Sequence, residues 1–449
     1  MSYQVPQHID KDKIFIVKRS EIEGRLEPNF YKPSIATLEK KIRSLSSKRL
    51  RSYALSFAGG ATPSKREAEK YYSDSQTGVP FLRVQNLQTT GELSLDECIH
   101  INEETHNGLL KRSQVLEGDL LVKITGVGRM AIASVAPEDF VGNTNQHMVV
   151  IKTGDSSISK YLAHYLNLDI IEQIASRHST GGTRPALDYP SLKNIPIIEG
   201  LDFSIIDNAI KAKKAKEVEA QQLLDSIDGY LLKELGITIP NVDNELNNRI
   251  FFSSFSKIEG NRLDPIYSLY LGKNASSTEY ENTSLRSVAY IVKGNALSSS
   301  DIEAGDIPVI AGGQTSPYSH NQANYEGNVI TVSASGAYSG YIWYHDYPIY
   351  ATDCCVIYSK DELRYMTKYL FEVLKLQQKG IYRLQTGAAQ PHVYAADLQM
   401  LNIPIVSIDK QRDIVNHITD IRTKAKALQA EGKAILEDAK RKVEQMIIG

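Results

Sequence analysis

The feature that most constrains this chain is a set of landmarks that occurs twice in one order. Arg25-Leu26-Glu27-Pro28, followed by Asn29-Phe30-Tyr31, is answered by Arg262-Leu263-Asp264-Pro265, followed by Ile266-Tyr267. Tyr161-Leu162-Ala163-His164-Tyr165-Leu166 is answered by Tyr365-Met366-Thr367-Lys368-Tyr369-Leu370. The turn Thr180-Gly181-Gly182-Thr183-Arg184-Pro185 is answered by Thr386-Gly387-Ala388-Ala389-Gln390-Pro391, and Leu192–Ile197 by Met400–Ile405. Each match is weak alone. Together they imply one supersecondary plan built twice, with insertions that differ between the copies.

Each copy is also succeeded by a long stretch of the same character. No proline occurs from Glu199 to Ile239, nor from Val406 to the end. In the second stretch Ile414, Ile418, Ile421, Ala425, Leu428 and Ile435 form an a/d seam, which Gly432 is expected to interrupt. In the first, Ile206, Ile210, Leu224, Ile227 and Leu231 form a similar stripe, broken by Lys213 and Glu217. Each helix, at roughly 30 residues, would be about 45–50 Å long. They are either two amphipathic surface helices or a coiled-coil pair, and their placement after each copy favours the pair. The expected domains are therefore 1–200 and 241–406, with long helices over 201–240 and 407–449.

Between the landmarks the pattern is α+β. Asp119–Ile124 and Met148–Ile151 read as strands, with Asn328–Val332 and Cys355–Tyr358 as their counterparts. Ser159–Ser176 and Asp361–Lys379 have helical periodicity and lack Gly and Pro. Gly59–Ser64, Ala311–Ser319 and Ser333–Gly340, rich in Gly, Ser and Thr, read as loops.

Composition narrows the function. A net charge of -2 argues against coating nucleic acid through bulk electrostatics but leaves local readout open. The polar N-terminus and the lack of a long apolar run imply a cytoplasmic protein with no membrane partner. Cys98 stands alone, and the adjacent Cys354 and Cys355 lack CxxC spacing, so buried structural roles are expected and no metal. No phosphate loop, HExxH, GxSxG elbow or calcium loop is present, nor the paired-proline tetrapeptide of an adenine methyltransferase. Gly126-Val127-Gly128-Arg129-Met130-Ala131 fits GxGxxA, but strand-like Ile132-Ala133-Ser134-Val135 comes next, so it reads as a glycine-permitted turn between strands. His147 aligns roughly with Cys354, and no acid–base set recurs in both copies. Amide, hydroxyl and Arg side chains near Gly-rich turns do recur, which suits contact with base edges and phosphates.

The chain resembles the specificity (S) subunits of Type I restriction–modification systems. The resemblance is carried by Gly78–Leu87 (GVPFLRVQNL), Gly118–Val122, Asn143–His147, Gly182–Leu187 and Leu192–Ile197, with weaker closing blocks at Gly387…Val393 and Leu401–Pro404. Ile307–Gln314 stands in the second copy where the Arg-Val-Gln-Asn block should be. The resemblance implies two similar target-recognition domains on double-stranded DNA, separated by two long helices in an antiparallel coiled coil. It implies a non-catalytic chain with no cofactor of its own. Two methyltransferase subunits binding S-adenosylmethionine would methylate adenine N6, and a restriction subunit would add ATP- and Mg-dependent translocation and cleavage. Because the copies differ, the expected site is bipartite and asymmetric.

The candidate DNA-binding residues are Arg83, Gln85, Asn86, Arg129, Asn145, Gln146, Thr183 and Arg184 in the first copy. In the second they are Gln314, Thr315, Ser333, Ser335, Tyr338, Tyr382, Arg383, Gln385, Thr386 and Gln390. Each has a plainer reading as solvated strand or turn polarity. A coiled-coil scaffold whose globular domains bind protein is the competing class; a related phage-defence methylation system is the nearer variant.

Overall fold

Leu120-Leu121-Val122-Lys123 explains the architecture, because all four residues are buried and they alternate between two cores. Leu120 and Val122 pack with helices, whereas Leu121 packs with a second sheet. A strand buried on both faces reads as a continuous apolar run rather than as an alternation. The computed structural model describes residues 6, 8–238, 252, 278–387 and 389–449. The Arg262–Tyr267 landmark and Ala388 lie outside the described residues. The chain forms two units, residues 1–216 with 430–449, and residues 217–429.

In the first unit the strands are β1 (Ser56–Gly59), β2 (Tyr72–Ser73), β3 (Val79–Leu82), β4 (Ile99–Ile101), β5 (Gln114–Leu116), β6 (Leu120–Lys123), β7 (Ala133–Val135), β8 (Val141–Thr144) and β9 (Met148–Lys152). One sheet has the order β1-β9-β6-β7 and is antiparallel throughout. The other has the order β2-β4-β3-β8-β5, with β3 and β8 parallel. Helices α1 (Pro33–Leu45), α2 (Ser156–Leu166) and α3 (Asp169–His178) share the first sheet's outer core.

The second unit repeats this plan. Its strands are β10 (Asn282–Ser284), β11 (Ala289–Lys293), β12 (Ile307–Ile310), β13 (Ser319–His320), β14 (Val329–Ser333), β15 (Ile342–His345), β16 (Tyr350–Ala351), β17 (Cys354–Ser359) and β18 (Asn402–Pro404). The order β11-β17-β14-β15 matches β1-β9-β6-β7 strand for strand, again antiparallel. The order β13-β12-β16 matches β4-β3-β8, and β12 pairs with β16 in parallel. Cys355 and Ile357 enter the helix-side core and Cys354 and Val356 the sheet-side core. The two thiols therefore face opposite ways across one strand.

Both stretches of helical periodicity are helical, and each is divided in two. In Ser159–Ser176 the chain breaks after Leu166, because Asn167 turns its amide onto Ala133 of β7. Its Nδ2 donates to the Ala133 carbonyl at 2.7 Å and its Oδ1 accepts from the Ala133 N–H at 3.1 Å. Asp361–Lys379 also divides, into a helix over Thr367–Leu376 and a short one over Gln378–Tyr382.

The long helices are α4 (Ser204–Glu234) and α5 (Ile408–Ile448). Within the first unit, Ile206, Ala209 and Ile210 share a core with Leu436, Ala439, Val443 and Ile447, and Lys216 pairs with Glu431 at 2.8 Å. Gly432 does not interrupt the seam. It is buried in it, and a Cβ there would stand 3.3 Å from the Lys213 Cα. The expected break is instead a close approach of two backbones. Within the second unit, Ile227 and Leu231 share a core with Ile414, Ile418 and Ile421. Tyr230 packs on His417 with ring centroids 4.2 Å apart, and Glu234 pairs with Lys410. In each unit the paired stretches run in opposite directions.

Candidate nucleic-acid interface

Antiparallel pairing fixes which loops meet. Because β1 and β6 both run opposite to β9, the loops after β1 and β6 and the segment before β9 emerge at one end of the sheet. Residues 145–147 form the corner where β8 of one sheet passes into β9 of the other. The Asn145 Oδ1 accepts from the His147 N–H at 3.0 Å and closes that corner. Gly60 lies so close to Thr144 and Asn145 that a Cβ would fall 1.9 Å from the Thr144 carbonyl oxygen, so only glycine fits there. The Thr180–Ala186 turn docks beside it. Thr180 and Ala186 exchange backbone bonds of 2.8 Å, Gly126 N–H donates to the Pro185 carbonyl at 3.0 Å, and Gly181 has φ +97°.

On this rim stand exposed Thr62, Gln146, Thr183 and Arg184. Thr62 Oγ1 bonds the Gln146 side chain, and Arg184 Nη2 donates to His147 Nε2 at 3.0 Å. Burial, then the Arg184 charge, holds His147 below its ordinary pKa, which keeps the imidazole neutral and able to accept that bond. Thr144 Oγ1 and His147 Nδ1 are buried without a protein partner on either side of Asn145-Gln146.

Other candidates in this unit have structural work. Asn86 is buried; its Oδ1 accepts from Arg83 N–H at 2.8 Å and its Nδ2 donates to the Ser94 carbonyl at 2.9 Å. Its amide is used internally and is not presented to a base. Arg129 is tied to Asp169 and donates to the Asn167 carbonyl at 2.6 Å. Beside it Glu444 accepts from the N–H groups of Asp169 and Ile170, capping α3 from α5. Arg129 thus fastens the α2–α3 junction and is not free for guanine or phosphate. Asn145 is buried in its corner, whereas Gln85 is exposed and Arg83 half-buried at the end of β3.

The second unit builds the same rim. The Gly336 N–H donates to the Pro391 carbonyl at 3.0 Å, Thr386 and His392 exchange bonds of 2.9 and 2.7 Å, and Gly387 has φ +98°. Gly294 packs on the Thr352 carbonyl as Gly60 does on that of Thr144. His147 is therefore matched by Asp353 rather than by Cys354: Ile124 N–H bonds the His147 carbonyl and Ala334 N–H the Asp353 carbonyl. Asp353 accepts from the Ser335 hydroxyl. Gln314, Thr315, Tyr338, Arg383 and Gln390 are exposed. Tyr382 is half-buried and bonded to Gln314, and burial raises its pKa. Ser333 is buried, and the Gln385 Nε2 donates to the Ser339 carbonyl at 2.7 Å, so both shape the loop from beneath. The Thr386 hydroxyl bonds the His392 carbonyl at 3.4 Å.

Sequence reasoning missed three rim features. Arg112 is exposed and donates to the Gly59 carbonyl at 3.2 Å, which no motif announces. Val127 stands 79% exposed between Gly126 and Gly128, its carbonyl held from below by buried Lys123 at 2.7 Å. Tyr318 is 61% exposed in the loop after β12. The glycine pair around an apolar residue is the available signal, and from sequence it reads only as a turn.

Among the described residues no group of three or more His, Cys, Asp or Glu is placed to hold a metal ion, and no helix is long and apolar enough to cross a membrane. Similar structures include an S subunit of a Type-I restriction-modification system from M. genitalium, with 14% identity, 88% of this chain and 95% of that one covered, and a TM-score of 0.41. A chain from a study of complex assembly in a type I R-M system gives 15%, 89%, 95% and 0.46, and the HsdS subunit from Thermoanaerobacter tengcongensis 15%, 89%, 95% and 0.35. At these scores the likeness stays in outline. No curated protein matches the chain. Residues 277–437 match the family model described as the Type I restriction modification DNA specificity domain. The likeness to the Type I restriction modification DNA specificity domain thus rests on residues 277–437.

Proposed function

We propose that the whole chain is a DNA-specificity subunit of a Type I restriction–modification complex, with one target-recognition rim in each unit. The observation that carries this reading is that one loop scaffold is built twice, with the same glycines and backbone bonds, under different exposed side chains. A scaffold kept while its readers change suits recognition of two different half-sites. The rims offer amides, hydroxyls and guanidinium groups, which are the donors and acceptors that base edges and phosphates require. They offer no repeated acid–base pair, so the reaction is assigned to partners.

In this reading α4 and α5 form one antiparallel coiled coil that sets the length of the unread spacer and docks two methyltransferase subunits. The opposite-running pairs within each unit support it. S-adenosylmethionine is held by those subunits, and ATP and Mg by a restriction subunit where one is present. The test is single-molecule sequencing of N6-methyladenine in host DNA with this gene intact and deleted. The reading expects a single asymmetric two-part motif that disappears on deletion. An unchanged methylation pattern overturns it and favours a protein-binding scaffold.

A further inference from the structure

The Thr-Gly turns of the two rims are matched through their hydrogen bonds. Thr125 and Thr180 both bridge to Ala186, and Ser335 and Thr386 both bridge to His392. Gly181 and Gly387 share the left-handed conformation at φ +97° and +98°, and each lies under the carbonyl of the residue three places on. That residue is Arg184 in one unit and Gln390 in the other, and both are exposed.

Resting on the function proposed above, we infer that this matched position reads a base in each half-site: Arg184 reads guanine and Gln390 reads adenine. His147 is the positioning residue for Arg184.

Three observations carry the inference. First, the turn is fixed at both ends by backbone bonds near 3 Å, so its side chain projects from a rigid platform, as direct readout requires. Second, Arg184 makes no ion pair with a carboxylate among the described residues; its Nη2 spends one donor on His147 Nε2. The neutral imidazole orients the guanidinium and leaves its other donors available as a fork. Third, the position changes chemistry between otherwise matched scaffolds. A phosphate contact carries no sequence information and gives no reason for the side chain to differ between the copies. Arginine in one copy and glutamine in the other is the exchange expected when guanine O6/N7 is replaced by adenine N6/N7.

The test uses the full complex with its methyltransferase subunits and a plasmid library carrying random sequence, read by methyladenine sequencing. The Arg184→Gln variant is expected to lose preference for a single guanine in one half-site by about 10-fold or more, with the other half-site's motif unchanged. Gln390→Arg is expected to lose preference for a single adenine in the opposite half-site. Arg184→Lys, which keeps the charge and loses the fork, is expected to behave like Arg184→Gln. His147→Ala is expected to relax the same guanine position, and His147→Asn, whose amide oxygen can accept from Arg184, to restore it.

Uniform loss of methylation across all sequences in Arg184→Gln, with Arg184→Lys retaining activity, overturns the assignment and makes Arg184 a phosphate contact. A wild-type complex that methylates without any sequence preference sinks the underlying function instead, so the two failures are distinguishable.

Discussion

Glu39 offers a quantitative check on how the first unit is held together. Its carboxylate is 3% exposed and accepts from Arg43 Nε at 2.8 Å, from His178 Nε2 at 2.9 Å and from Arg177. Burial alone would raise its pKa; the His178 bond and charge and the two arginine bonds overcome that and hold it at about 2, against an ordinary 4.5. Because the folded value is the lower one, the stabilisation is complete above pH 4.5 and is lost as pH falls toward 2. At about 1.4 kcal/mol per pH unit the effect is worth about 3 kcal/mol, of which about 2 are gone by pH 3. Glu39→Gln leaves the guanidinium groups facing a neutral amide and is expected to cost about 3 kcal/mol at pH 6. Urea unfolding of both proteins at pH 6 and pH 3, monitored by circular dichroism on the same transition, cancels the other carboxylates to first order. A gap between wild type and variant that is the same at both pH values would refute the reasoning.

Other consequences can be checked separately. Asn167→Ala removes both bonds to Ala133 and is expected to cost about 2–3 kcal/mol in urea unfolding, since two buried backbone groups lose their partner. Gly432→Leu forces a side chain into the contact with Lys213 and is expected to lower the melting temperature by several degrees, while the exposed Gly229→Ala change on α4 raises it slightly. Burial pushes Cys354 up to about 12 and Cys355 up to about 11, so a thiol reagent at pH 8 is expected to label neither until the protein is unfolded.

Much of the fold was legible because its strongest signals are local and repeated. Leu120–Lys123 and Cys354–Ser359 are buried on both faces and announce themselves as apolar runs, and the Thr-Gly turns recur with the residue that needs a left-handed backbone. The break at Asn167, the fastening of Arg129 and the place of Gly432 depend on contacts distant in sequence. Nothing near Asn167 shows that its amide will meet Ala133, so the helix break is invisible in the pattern. Arg129 resembles a reader because its partners, Asp169 and the Asn167 carbonyl, lie beyond three further strands. Gly432 reads as a defect because helix propensity is a property of one chain segment, whereas the close approach to Lys213 belongs to two. Polar residue type locates the rim, but it does not separate exposed Arg184 from internally committed Asn86 and Gln385.

Footprinting of the chain with the methyltransferase subunits proposed for it, on duplex DNA bearing the motif those subunits methylate, tests the duplicated reader most directly. Two short protected tracts about one helical turn apart, flanking bases that any sequence can fill, are the expected result. One continuous tract, or protection that ignores sequence, would contradict the account.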